Sequence, residues 1–148
     1  MLTNRLRTIQ TKRRSGDEGF TLTELLVVVV ILGILIAIAI PTYLSYRKSA
    51  SDKSAQSDLR NAVTVLEACA VDGAYPTAVT SAGVMTGCDG QKLQVSTNTS
   101  LKYVPTGSPV TTYIVASTNS GGSKFYCYNS SVGGSVKEVA GPLASATC

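Results

Sequence analysis

The sequence predicts an α+β fold, in which one long N-terminal helix packs against a small antiparallel sheet. Three observations carry this expectation. Sixteen residues without a charge, Leu25 to Ile40, follow a lone carboxylate at Glu24. Apolar residues then recur at spacings of three and four as far as Ala70, the period of a one-sided helix. The remaining half of the chain alternates short runs rich in Val, Tyr, Thr and Ile with polar turns, as strands do.

The first 18 residues are polar and basic, and no apolar core of a secretory signal precedes Gly19. Arg5, Arg7, Lys12, Arg13 and Arg14 against Asp17 and Glu18 give this leader three of the chain's four net positive charges. Lys and Arg beside a spanning segment stay cytoplasmic, which places the C-terminal part outside. Arg47, Lys48 and Lys53 on the far side are fewer and are diluted by Asp52. A cut at the small residue Gly19 would remove the leader and keep the apolar run, the reverse of ordinary signal removal.

From Phe20 to Ile40 a helix is about 31 Å long, enough to cross a hydrocarbon core of roughly 30 Å. Glu24 is the anomaly, because a carboxylate at the centre of a spanning helix costs roughly 2.5 to 3.5 kcal/mol on insertion scales, and less near its edge. It is either an interfacial acid without a role or one kept for a partner within an apolar assembly. Gly33 and Pro41 weaken the helix by about 1 and 3 kcal/mol; a simple kink or the end of an interface accounts for both.

Beyond Pro41 the apolar positions Leu44, Ala55, Leu59, Ala62, Val63, Leu66, Cys69 and Ala70 continue one face of the same helix. Its polar face carries Arg47, Lys48, Asp52, Lys53, Asp58, Arg60 and Glu67, expected to be solvated, with Lys48 and Asp52 at pairing distance. Asp72-Gly73 and Tyr75-Pro76 stop the helix, which is expected from about Thr21 to Val71. Residues 77–90 read as a connecting loop. Strands are expected at Leu93–Ser96, Leu101–Val104, Val110–Ser117, Lys124–Tyr128 and Ser135–Val139, with turns at Asn119–Ser123 and Gly133-Gly134. The organisation is thus leader 1–19, apolar helix 20–41, amphipathic continuation 42–72 and head 73–148.

Cys69, Cys88, Cys127 and Cys148 all lie beyond the apolar run, where disulfides form in an exported domain. Four cysteines allow three connectivities; the two local loops, Cys69 with Cys88 and Cys127 with Cys148, are preferred. A zinc site is disfavoured by the lack of histidine and of close Cys-x-x-Cys pairs. No phosphate loop or paired catalytic acids stand out, so neither an enzyme nor a cofactor or metal is expected. Bulk charge gives no nucleic-acid signal. Asn98-Thr99-Ser100 and Asn129-Ser130-Ser131 match the glycosylation triplet and read as surface loops. Seven tyrosines are expected to pack a sheet, with Tyr126 and Tyr128 on one strand face, rather than to form a binding stripe.

Gly19-Phe20-Thr21-Leu22 with Glu24 before the Leu/Val/Ile run, and Pro41 at the matching distance, resembles the processing site of type IV pilins. The resemblance covers roughly residues 12 to 72. It implies that a prepilin peptidase cuts after Gly19 and methylates the new Phe20 amine, and that Glu24 of one subunit meets the Phe20 amine of another. At an effective dielectric near 20 and about 4 Å such a pair attracts by roughly 4 kcal/mol before desolvation, comparable with the insertion cost of the acid; pairing within one subunit is the alternative. The family further implies unwinding between Gly33 and Pro41 when subunits leave the bilayer, and a C-terminal disulfide loop like Cys127 with Cys148.

The resemblance therefore implies a major pilin, a single-pass protein of the cytoplasmic membrane that enters an extracellular helical filament of its own copies. Its partners would be the peptidase, an assembly platform, minor pilins and, before assembly, membrane lipid. Adhesion, twitching motility, DNA uptake and secretion share this plan. A minor pilin and a type II secretion pseudopilin are the alternatives; major pseudopilins bind calcium through C-terminal acids, and only Glu138 follows Cys127 here. A monomeric membrane-tethered binding module is the reading outside the family.

Overall fold

The computed structural model describes residues 19–70, 74–79, 85–86, 91–141 and 148. One helix, α1, runs unbroken from Leu22 to Cys69 and contains Pro41. Thr21 stands just outside it as its cap, and the Val71 and Asp72-Gly73 stop expected from sequence lies outside the described residues. Two short strands, β1 (Ala78–Val79) and β2 (Met85–Thr86), pair antiparallel. They fall within the stretch 77–90 that reads as loop, because two residues are too few for any alternation to show.

The main sheet is a four-stranded meander of β3 (Thr99–Gly107), β4 (Val110–Asn119), β5 (Phe125–Asn129) and β6 (Lys137–Val139), each antiparallel to its sequence neighbour. Tyr103 faces Val115, Ala116 faces Cys127, and Tyr126 faces Glu138. Gly107 (φ 100°) and a cis Ser108–Pro109 peptide shape the β3–β4 connection. Gly133 and Gly134, with φ of 68° and 92°, form the β5–β6 turn at the left-handed conformation that glycine tolerates.

The chain divides into two compact units, Met1–Thr42 and Tyr43–Cys148. In the second, Ala55, Leu59, Ala62, Leu66 and Cys69 of α1 meet Tyr113, Val115 and Tyr126 of the sheet, with Leu93 between. This is the helix face that the spacing of three and four predicts. Tyr113 is fully buried and has three tyrosine neighbours, Tyr75, Tyr103 and Tyr128, with ring centroids 4.7, 5.7 and 6.0 Å away. Tyr113 and Tyr126 thus belong to the core and Tyr75, Tyr103 and Tyr128 pack against it, whereas Tyr43 and Tyr46 are exposed. Cys127, on the opposite face of β5, is bonded to Cys148 with Cα atoms 5.9 Å apart. Cys69 is also disulfide-bonded, and the expected partner Cys88 lies outside the described residues.

Two expectations fail for one reason. Leu93–Ser96 is not a strand, and Asp52 and Asp58 are buried rather than solvated, while Glu67 stays exposed as expected. Asp58 accepts hydrogen bonds from the Ser96 amide and hydroxyl at 2.9 and 3.0 Å, so the segment is held by the helix instead of a neighbouring strand. Asp52 accepts from the Ser123 and Lys124 amides at 2.8 and 2.9 Å, and so anchors the β4–β5 hairpin rather than pairing with Lys48. Glu67 accepts from the Tyr75 and Tyr113 hydroxyls at 2.9 and 2.8 Å. Each carboxylate satisfies donors that a small head would otherwise bury unpaired.

Candidate processing and assembly site

The first turn of α1 is closed by reciprocal hydrogen bonds. The Glu24 amide donates to Thr21 Oγ1 at 3.3 Å, while the Thr21 amide donates to Glu24 Oε2 at 3.0 Å. The Thr21 hydroxyl also donates to Glu24 Oε2 at 2.6 Å, and that of Thr23 donates to Thr21 Oγ1 at 3.2 Å. This is a capping box, which satisfies two of the orphan donors at a helix start and places a negative charge at the positive end of the dipole. Its sequence signature is Thr-x-x-Glu, from Thr21 to Glu24. Thr21 is therefore the functional residue that the sequence reading omits.

Gly19 and Phe20 precede the cap and are exposed, Phe20 at 78%. An added Cβ on Gly19 would meet nothing within 4 Å, so no intramolecular packing demands glycine there. The same is true of Gly33.

Pro41 deprives the Ala37 carbonyl of its usual amide donor, yet α1 continues through it, and the Thr42 hydroxyl donates to the Ile38 carbonyl at 3.1 Å. Between Phe20 and Leu44 the large apolar side chains are half or more exposed almost throughout, from Leu22 at 80% to Val28 at 48%. The helix is long and apolar enough to cross a membrane. Gly19, Phe20 and Glu24 are brought together within one turn, whereas Gly33 and Pro41 lie further along the helix. Among the described residues no cluster of His, Cys, Asp or Glu could hold a metal.

Residues 14–40 match the model of the prokaryotic N-terminal methylation motif. The chain is 43% identical over 60 residues to the type IV major fimbrial protein FimA of Dichelobacter nodosus, covering 40% of this chain and 38% of that one. It is 28% identical over 111 residues to fimbrial protein Q of Moraxella bovis, covering 75% and 63%. A third relative, the type II secretion system core protein G of Pseudomonas aeruginosa, is 40% identical over 65 residues, covering 43% and 46%. The chain thus spans less than half the length of the first of these relatives. Set beside the helix-and-sheet fold, the motif and these relatives make the N-terminal part of the chain similar to type IV pilins and to related fimbrial and secretion-system proteins.

Proposed function

We propose that this chain is the major subunit of a type IV pilus. It is held in the cytoplasmic membrane by α1 with the Tyr43–Cys148 unit outside, is cut after Gly19 and methylated on Phe20 by a prepilin peptidase, and is then packed with its own copies into a filament. The observation that carries this reading is the uncovered apolar surface from Phe20 to Leu44, which no other part of the described chain shields. Such a surface needs lipid or like helices around it. Glu24 sets axial register by meeting the Phe20 amine of a neighbouring subunit, and Gly33 and Pro41 permit local unwinding on extraction from the bilayer.

Shearing cells and weighing the released protein tests this directly. A chain beginning at methylated Phe20 as the bulk of the sheared fraction is the expected result. A full-length chain confined to membranes leaves only the tethered module. The likeness to core protein G favours a second reading, a secretion pseudopilin. That reading requires that deletion of the chain block export of secreted enzymes while sheared filaments persist. A minor pilin would occur in those filaments as a trace component.

A further inference from the structure

Among the described residues, the carboxylates of the Tyr43–Cys148 unit bond to their own chain: Asp52 to two amides, Asp58 to Ser96, Glu67 to two tyrosines and Glu138 to Lys124. Of the cations, Lys124 is the only one in an ion pair among the described residues, and its contact with Glu138 is half exposed, at 2.7 Å.

Three of its lysines border one cleft, the Lys124 ammonium being shared with Glu138. Lys48 and Lys53 on α1 and Lys124 before β5 line one cleft of about 310 Å³, together with the hydroxyls of Ser45, Ser49 and Ser123. Asp52 also lines it, but its Oδ1 is taken up by the hairpin amides. Just before the cleft on the same helix, Tyr43 and Tyr46 are 62% and 73% exposed, and the Arg47 guanidinium lies 5.9 Å from the Tyr43 ring centroid. These tyrosines follow Ile40, the last residue of the apolar run, by three and six positions. Amphipathic rings and cations directly after a spanning segment are the composition of the headgroup level, and basic pockets there take anionic headgroups.

We propose that this cleft binds the phosphate of an anionic phospholipid on the outer face of the membrane, with Lys48 and Lys53 supplying charge, Lys124 shared with Glu138, and the serine hydroxyls donating to the phosphate oxygens. The inference rests on the membrane-held stage of the proposed function and not on filament assembly. A nucleic-acid strand fits less well, because binding there relies on aromatic faces open to bases, and the one ring lining the cleft, Tyr126, is 5% exposed.

The full-length chain is reconstituted in phosphatidylcholine nanodiscs containing a minor fraction of phosphatidylglycerol, extracted in neutral detergent, and the retained lipids are counted by native mass spectrometry. Preferential retention of phosphatidylglycerol is expected. It should fall about fivefold for each of Lys48→Gln and Lys53→Gln, fall furthest in the triple variant that adds Lys124→Gln to both, and stay unchanged in a control triple variant replacing Lys92, Lys102 and Lys137 by Gln. Equal retention of the two lipids in the unaltered protein overturns the proposal, as does equal loss in both triple variants, which would mean bulk charge. Displacement of the lipid by inorganic phosphate at matching concentration, or by a short DNA duplex, would assign the cleft to a soluble phosphate or a nucleic acid instead, and equally overturns it. None of these readouts needs a filament, so failure here leaves the pilus reading standing.

Discussion

Glu24 has two possible duties, and chemistry separates them at a single atom. The capping box needs an acceptor at Oε2, which a glutamine supplies, whereas pairing with an ammonium needs the charge. Glu24→Gln should therefore keep the helix start and lose filaments as fully as Glu24→Ala, with export of both unaffected; filament yield in sheared fractions reads the outcome, and normal yield in Glu24→Gln would reduce Glu24 to a cap. Thr21→Val removes the other half of the box and should cost about 1 kcal/mol of local helix stability. The tyrosines around Glu67 carry a pH signature. The hydrogen bond to Glu67 raises Tyr75, burial pushes Tyr103 up to about 12, and burial followed by the Glu67 contact raises Tyr113. Folded phenols thus hold protons that an unfolded chain releases near pH 10. Stability from these groups is complete below about pH 10 and is lost as pH rises towards 12. Tyrosinate absorbance and circular dichroism should change together there, and Glu67→Gln should bring the Tyr75 titration down.

At the scale of elements, three carboxylates of α1 act as pegs for the loops that close the head. Removing Asp58 leaves the Ser96 amide without its acceptor, and Asp58→Ala should destabilise the head by about 1 to 3 kcal/mol in denaturant titration. The hairpin offers a steric counterpart: a Cβ on Gly122 would collide with the Asp52 carboxylate, so Gly122→Ala should cost about 1 to 3 kcal/mol although it only adds a methyl group. These pegs also mark the limit of what was legible beforehand. The apolar face Ala55-Leu59-Ala62-Leu66 and the strand around Val115 declare themselves by period, because burial on one side imposes a repeat. Asp52, Asp58 and Glu67 declare nothing, since a solvated carboxylate and one that accepts from a distant loop amide occupy the same helical positions. Leu93–Ser96 misled for the complementary reason: its apolar residue is buried, but its backbone donors go to a helix side chain. At the candidate site the order is reversed. Gly19, Phe20 and Glu24 could be picked out before any coordinates, while the role of Thr21 needed its hydroxyl geometry.

For the molecule as a whole, the Cys127–Cys148 bond closes a sequence separation of 21. Replacing both residues by serine should cost about 3 kcal/mol by the loop-entropy account, read as a lower midpoint in denaturant without loss of the β3–β6 sheet. The meander has a further consequence for how the head is made. From β4 onward each strand of the meander pairs with the strand before it in the chain, and the apolar face they rest on is supplied by α1, which precedes them all. If the part after the spanning segment crosses a membrane in chain order, the second half of α1 emerges before the strands it must receive. Every strand can then be added on arrival, with none left waiting for a partner still to come, so an unpaired β edge is exposed only at the growing margin and only briefly.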